Sequence, residues 1–214
     1  MLSALSLTIF GFLLGVRHAL DPDHVVAMST IATRAPSLRR AAVVGALWGT
    51  GHTLTLLLVG GAIVSLRIVV SPRAGLVMEF GVAVMLIILG FSNLLSARRN
   101  SRAAPSAARP LMVGMVHGMA GSAAIALLVL ATVDDPSWAI GYLLLFGFGT
   151  IIGMVLVTGF VALPASLALT RVGLAQRWLT AASGVASLAF GVMMARALSG
   201  PGGVFSAAPT WFPR

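Results

Sequence analysis

Long apolar stretches separated by short polar segments run through the whole chain of 214 residues. A helix that crosses the hydrocarbon core of a bilayer needs about 20 apolar residues, and six stretches reach that length. They cover residues 3–33, 41–66, 75–96, 110–132, 138–169 and 177–198. The pattern predicts an all-α, polytopic membrane protein with about six transmembrane helices.

The composition supports this fold class. Charged residues make up 9% of the chain and the mean hydropathy is +1.02, whereas soluble proteins carry about 25% charged residues. All fourteen basic residues are arginine, and nearly all lie between apolar stretches, which argues against a basic face for nucleic acid. Cysteine is absent, which excludes disulfides and thiolate metal ligands.

The arginines are distributed unevenly between the two sides of the predicted membrane domain. Nine lie in the first, third and fifth loops: Arg34, Arg39, Arg40, Arg98, Arg99, Arg102, Arg109, Arg171 and Arg177. Four lie in the second loop or at the C-terminal end: Arg67, Arg73, Arg196 and Arg214. Because positive charge favours the cytoplasmic side, we predict cytoplasmic odd-numbered loops, both termini outside, and a multi-pass location in the cell membrane.

The two halves of the chain resemble each other. Gly15-Val16-Arg17-His18 matches Gly114-Met115-Val116-His117, and Leu47-Trp48-Gly49-Thr50-Gly51 matches Leu145-Phe146-Gly147-Phe148-Gly149. Three helices per half would make the second copy inverted, and inverted repeats place the substrate near the midplane on broken helices. The alternative is chance similarity between glycine-rich apolar helices.

This repeat predicts the domain organisation. Residues 1–96 form the first three-helix repeat, 97–110 a cytoplasmic linker, 111–198 the second three-helix repeat, and 199–214 an irregular C-terminal tail.

The first apolar stretch contains an unusual group of ionisable residues, in the segment 17–24. Such groups deep in a membrane cost a few kcal/mol each and are functional candidates. At about 100° per residue, His18, Asp21 and His24 share one helix face, while Asp23 points elsewhere. Two imidazoles and a carboxylate suit a divalent transition metal better than Mg²⁺ or Ca²⁺, which prefer all-oxygen sites.

Pro22 lies within this segment and is predicted to break the helix. Proline cannot donate to the carbonyl four residues earlier, so the break should free backbone oxygens beside the metal-type side chains. The alternative is a short interfacial turn between two ordinary helices, with Asp21 as a helix cap.

Further candidates lie in the other predicted spans. His52 and His117 are predicted as metal ligands, although a lone membrane histidine can also be a hydrogen-bonded packing residue. Thr53 and Ser122 are predicted to lie along the same polar pathway. Glu79 is predicted to pair with an arginine in a structural role.

The motif 17–24 resembles the signature of the nickel/cobalt transporter family, in which a histidine, four residues and Asp-His follow one another in an early helix. Gly51-His52-Thr53 resembles the family's second motif, Gly-His-Ser/Thr. The resemblance implies that His18, Asp21, Asp23 and His24 carry metal recognition and uptake, with His52 assisting.

The chain also departs from the better-studied members of that family. Those have eight helices and a long central loop, and they usually have Ala where this chain has Pro22. Their second-half motif follows His-Gly with an acidic residue, which the segment 117–122 lacks. The arrangement is more similar to the shorter, six-helix branch of urease-accessory-like nickel transporters.

Together these features predict a transporter that takes up Ni²⁺, or alternatively Co²⁺, without a cofactor and without enzymatic activity. Export of the same ions and an intramembrane hydrolase that uses Ser122 with a histidine are the alternatives. The partners expected are the divalent ion and membrane lipid, not nucleic acid. Two protein partners stay open, a second copy of the chain or a metal-accessory protein.

Overall fold

The computed structural model describes residues 4–35, 37–66, 70–99, 106–119, 136–168 and 173–211. This part of the chain is helical, with turns between the helices. Its helices are α1 (Ala4–His18), α2 (Pro22–Ala32), α3 (Leu38–Leu66), α4 (Pro72–Arg98), α5 (Ala108–Gly118), α6 (Pro136–Ala168) and α7 (Gly173–Ser199).

Four of these helices are long and apolar enough to cross a membrane: α3 over Leu38–Ala62, α4 over Pro72–Arg98, α6 over Trp138–Leu163 and α7 over Gln176–Ser199. They correspond to the second, third, fifth and sixth apolar stretches of the sequence. The first stretch is divided between α1 and α2. The fourth begins with α5, and its remainder lies outside the described residues. The fold is therefore that of a multi-pass helical membrane protein, and the count of six spans stays a prediction.

The distribution of polar side chains is that of a membrane protein. Large apolar side chains point outward; for example, Phe160 is 79% exposed and Leu58 is 63% exposed. In contrast, His52 and Asn93 are completely buried in the bundle. A surface of this kind is suited to lipid, and the buried polar groups mark the interior as the functional region.

Helices of the bundle pack closely against each other at positions where a glycine has no side chain to separate them. α3 lies along α5 and α6, α1 lies along α6, and α4 lies along α7. A methyl group on Gly15 of α1 would overlap the carbonyl oxygen of Phe146 on α6, and one on Gly114 of α5 would overlap that of Trp48 on α3. Small residues of this kind allow the backbones of membrane helices to approach closely.

The short helix α2 lies among α3, α4, α6 and α7. Pro22 occupies the first turn of α2, after Asp21 as N-cap residue, because its fixed φ suits a helix start and its missing N–H is not needed there. The apolar side of α2 carries Ala27, Met28 and Ile31, which belong to the main buried cluster. This packing holds α2 against the interior of the bundle, with His24 of its first turn completely buried.

The chain turns at residues 19–21, between α1 and α2, as the sequence predicted for the region of Pro22. The carbonyl oxygen of His18 is not left free, however. It accepts a hydrogen bond of 3.0 Å from the backbone N–H of Asp21, and that of Arg17 accepts one of 2.9 Å from Leu20. The turn therefore presents side chains rather than these backbone oxygens to the interior. Asp21 is the N-cap residue, yet its side chain makes no capping hydrogen bond.

Residues 200–211 form turns that fold back on the start of α4. The indole N–H of Trp211 donates to Oε1 of Glu79 at 2.8 Å, and the guanidinium of Arg73 donates to the carbonyl oxygen of Ser206 at 2.9 Å. Among the described residues, the partner of Glu79 is thus a tryptophan and not the arginine that the sequence predicted. This contact was not foreseeable, since 132 positions separate the two residues.

Candidate metal centre

All four histidines of the chain meet in the interior of the bundle. His18 ends α1, His24 lies in the first turn of α2, His52 is in the middle of α3, and His117 is near the end of α5. The ring centroids of His24 and His117 are 4.1 Å apart, those of His18 and His24 are 4.5 Å apart, and those of His18 and His52 are 5.1 Å apart. Four separate helices thus converge on one buried group of imidazoles.

The donor atoms fall into two overlapping sets. His18, His24 and His52 offer one set, and Asp23, His24 and His117 offer the other; within each set the donor atoms lie within 4.8 Å of one another. His24 belongs to both sets. Imidazole nitrogens with a single carboxylate are donors typical of sites for nickel, zinc, copper or iron.

The contact between His18 and His52 has the spacing of a chelating pair. Their Nε2 atoms are 3.2 Å apart. Two imidazole nitrogens that bind one metal at about 2.1 Å, with an angle of about 90–110° between them, are about 3.0–3.4 Å apart. Coordination of one ion by both rings therefore requires little rearrangement.

Carboxylates orient two of the imidazoles. Nδ1 of His18 is 2.9 Å from Oδ2 of Asp21, and Nε2 of His117 is 2.9 Å from Oδ2 of Asp23. A neutral imidazole that donates its N–H to a carboxylate keeps the lone pair of its other nitrogen available for a metal, and the carboxylate also fixes the ring. The other oxygen of Asp23 lies 3.2 Å from Nδ1 of His24.

Several buried nitrogen atoms of this group have no hydrogen-bond partner among the described residues. They are Nε2 of His24, Nδ1 of His52, Nδ1 of His117 and, beside them, Nε1 of Trp48. Buried polar atoms are normally paired, so such a concentration in one place is a mark of function. The three imidazole nitrogens have the donor chemistry that fits a divalent transition metal as substrate.

The break between α1 and α2 corrects one part of the sequence interpretation. The helical projection directed Asp23 away from the other three ionisable residues of the motif. In the structure Asp23 contacts both His24 and His117, because the turn at 19–21 resets the helical phase. Asp21, which the projection assigned to the ligand face, contacts His18 and has a side chain that is 29% exposed.

Of the two predicted pathway residues, Thr53 is buried next to His52, and its hydroxyl donates to the carbonyl oxygen of Gly147 at 3.1 Å. This bond joins α3 to α6, and the pathway role of Thr53 stays a prediction. Ser122 lies outside the described residues.

Two aromatic residues that the sequence analysis did not assign to the site form its walls. The ring of Trp48 is 5.9 Å from that of His117, and the ring of Phe146 is 5.4 Å from that of His18. They occupy matching positions in the two halves of the chain, at the offset of 98 that relates Leu47–Gly51 to Leu145–Gly149. That match was the available signal for their role.

Comparison with known proteins adds two findings. A family model described as NicO, high-affinity nickel-transport protein, matches residues 4–109, which include the histidines of α1, α2 and α3. A protein of Bacillus sp. (strain TB-90) described as urease accessory protein UreH is 33% identical over 205 residues, which cover 88% of this chain and 90% of that protein. No solved structure matches the chain.

Proposed function

The chain belongs to the NicO family of high-affinity nickel-transport proteins, and from this premise we propose that it takes up Ni²⁺ through its buried histidine centre. Family membership makes the protein a membrane transporter of metal ions and not an enzyme. The direction of transport, the coordinating residues and a location in the cell membrane are the parts we propose. Co²⁺ is the second candidate cargo, because imidazole and carboxylate donors accept both ions.

One observation carries the proposal: four imidazoles and two carboxylates from separate helices converge on a helix break inside an apolar bundle. One hydrogen-bonded group consists of Asp21, His18 and His52, and a second consists of His24, Asp23 and His117. The rings of His18 and His24 bring the two groups into contact. Ionisable groups at such depth mark the path of an ion.

The two overlapping donor sets support stepwise movement of the ion. Ni²⁺ binds one set, and His24 then remains bound while the other ligands are exchanged for those of the second set. Because His24 is shared, the ion is never without a protein ligand during this step. The turn at 19–21 gives α2 a hinge about which it can move relative to α1.

The membrane potential is sufficient to drive uptake. Moving one charge across 100 mV releases about 2.3 kcal/mol, so a divalent ion gains about 4–5 kcal/mol. Because the membrane potential supplies this free energy, the proposal requires no ATP.

We further propose the six-span architecture with two inverted halves. In support, the close contacts between the halves are reciprocal. Gly15 of the first half contacts Phe146 of the second, and Gly114 of the second half contacts Trp48 of the first. The two glycines are related by an offset of 99 and the two aromatic residues by an offset of 98. A two-fold relation between inverted halves produces this reciprocal exchange of contacts. Span one, which is divided between α1 and α2, is then a broken span of the kind found in inverted-repeat transporters.

The relative from Bacillus is described as a urease accessory protein, and this description bears on the partner. We propose that the imported ion is received on the cytoplasmic side by a metal-accessory protein. The arginine-bearing first, third and fifth loops would face that partner, as the positive-inside rule predicts.

Transport by the purified protein tests the proposal. The protein is reconstituted in liposomes, and uptake of Ni²⁺, Co²⁺, Zn²⁺ and Mn²⁺ is measured with an inside-negative potassium diffusion potential. Potential-dependent uptake of Ni²⁺ is expected, and His24→Ala should reduce it about 100-fold or more, by the loss of both donor sets. Thr55→Val is the matched control, since Thr55 is buried on α3 and donates only to the carbonyl of Gly51 within its own helix.

Two results would count against the proposal. Absence of Ni²⁺ uptake by the intact protein would refute the assigned cargo, and normal uptake by His24→Ala would refute the assigned site. If the protein released Ni²⁺ from preloaded liposomes but took up none under an inside-negative or an inside-positive potential, the proposed direction of transport would change from uptake to export.

A further inference from the structure

A second group of buried polar side chains lies further along α2, away from the histidines. It consists of Thr30 and Thr33 of the α2 region, Asn93 of α4 and Ser183 of α7, and we call it the asparagine cluster. Asn93 is completely buried, and the other three are at most 8% exposed. None of these residues belongs to the histidine motifs at 17–24 and 51–53.

The hydrogen bonds of the asparagine cluster fix the orientation of the amide. Nδ2 of Asn93 is 2.7 Å from the carbonyl oxygen of Thr30 and 3.1 Å from the hydroxyl of Ser183. A carbonyl oxygen can only accept, so the amide nitrogen must lie on that side. Oδ1 of Asn93 therefore takes the opposite position, and it has no hydrogen-bond partner among the described residues.

The hydroxyl hydrogens of the cluster are already used. Ser183 donates to the carbonyl of Thr180 at 3.0 Å, Thr33 to that of Ser29 at 2.8 Å, and Thr30 to that of Ala27 at 2.7 Å. What the cluster still offers is the free acceptor Oδ1 of Asn93, while the hydroxyl of Ser183 accepts from Nδ2 and so holds the amide in this orientation. Neutral oxygen atoms with free lone pairs are ligands for a cation or for the water molecules that it retains.

The position of the asparagine cluster relates it to the histidine centre. Thr30 follows His24 by six residues on α2, a rise of about 9 Å. Asn93 precedes the end of α4 at Arg98 by five residues, or about 8 Å. The cluster thus lies between the histidines and the end of the bundle that carries Arg34 and Arg98, the side predicted to be cytoplasmic.

We propose that the asparagine cluster is a second cation station, which the divalent cargo occupies after it leaves the histidine centre. The inference rests on the proposed function. An uncharged amide oxygen, with the water molecules that the ion retains, holds a transition-metal ion more weakly than imidazole and carboxylate do. Passage requires binding that is strong enough to accept the ion and weak enough to release it. A weak oxygen station on the inner side meets both requirements.

A purely structural role for Asn93 would be to tie α2, α4 and α7 together. The chain provides a control for that role, because Ser187 is completely buried one turn further along α7 and donates to the carbonyl oxygen of Leu86 on α4 at 2.8 Å. Loss of the Ser187 bond removes a tether between α4 and α7, two of these three helices, without removing an atom of the cluster.

The test compares Asn93→Leu, Ser183→Ala and Ser187→Ala in the full-length protein. Equilibrium binding of Ni²⁺ is measured in detergent, and Ni²⁺ uptake is measured in liposomes. We expect Asn93→Leu to lower the maximal uptake rate about tenfold without raising the half-saturating concentration, because only a step after initial binding is affected. Ni²⁺ binding should stay within about twofold of the intact protein. Ser183→Ala should lower the rate less strongly, and Ser187→Ala should behave as the intact protein.

An unchanged rate in Asn93→Leu would overturn the second station. An equal loss of uptake in Ser183→Ala and Ser187→Ala would also overturn it, because it would show that these bonds only hold α4 and α7 together. If Asn93→Leu does not fold, the comparison of the two serine variants decides, and equal rates overturn the station. In each of these cases the intact protein still transports Ni²⁺ and the proposed function stands, whereas its failure would appear as absence of uptake by the intact protein.

Discussion

The Nε2 atoms of His18 and His52 lie 3.2 Å apart, although 34 positions separate the two residues in the chain. The contact joins the end of α1 to the middle of α3, and His24 lies within ring contact of both. Two imidazoles at this distance share either a proton or a metal ion. The pair is therefore the most direct structural link between the first motif and the second.

Removal of His52 should weaken metal binding while the other ligands remain. We predict that His52→Ala reduces Ni²⁺ affinity about 10- to 100-fold, as measured by equilibrium dialysis of the purified protein. Since His52 is buried, the variant is compared with Thr55→Val for its thermal unfolding temperature. Unchanged affinity in a folded His52→Ala protein would remove His52 from the donor set.

Asp21 and Asp23 should differ in their roles, and substitution by asparagine separates them. Asp23 lies in a donor set with His24 and His117, whereas Asp21 contacts His18 and is partly exposed. The amide oxygen of asparagine can still accept the N–H of His18, so Asp21→Asn should lower Ni²⁺ affinity by less than about tenfold. Asp23→Asn should lower it by at least about tenfold, because the negative charge next to the ion is lost. Equal effects of the two substitutions would contradict this division.

Much of the candidate centre could be predicted from the sequence. Ionisable residues within apolar stretches identified His18, Asp21, His24 and His52, because such residues need a reason to lie there. The similarity of the two halves added His117. The position of Asp23 could not be obtained in the same way, since a helical projection assumes an unbroken helix.

The parts of the fold that escaped prediction depend on contacts between distant segments. Asn93 reads as one polar residue in an apolar helix, and only the approach of α2 and α7 gives it partners. The hydrogen bond between Trp211 and Glu79 joins residues that no local pattern relates. Apolar stretches indicated four of the spans clearly, because length and hydropathy alone define them.

The contact between Trp211 and Glu79 should stabilise the C-terminal segment against α4. Glu79 is only 4% exposed, and Trp211→Phe removes its indole donor while keeping an aromatic ring. A buried polar group without its partner costs about 1–3 kcal/mol, so the thermal unfolding temperature in detergent should fall. Trp178→Phe is the control, because Trp178 is 69% exposed. Equal unfolding temperatures for the two variants would show that the bond does not contribute.

Glycine at the helix contacts gives a prediction about packing that is independent of metal chemistry. Gly15→Ala places a methyl group against the carbonyl oxygen of Phe146, and Gly114→Ala places one against that of Trp48. Because backbone cannot move aside as a flexible side chain can, each substitution should destabilise the protein by about 1–3 kcal/mol. The loss is measured as a lower thermal unfolding temperature in detergent.

Gly159 provides the matched control for these two substitutions. It lies on α6, and a methyl group there would have no atom within 4 Å. Alanine favours a helix over glycine by about 1 kcal/mol, so Gly159→Ala should leave the unfolding temperature unchanged or raise it. If Gly15→Ala and Gly114→Ala behaved like Gly159→Ala, then α1 and α6, and equally α3 and α5, would not approach as closely as described. The exchange of contacts that supports the inverted halves would then lose its basis, because it depends on those two crossings.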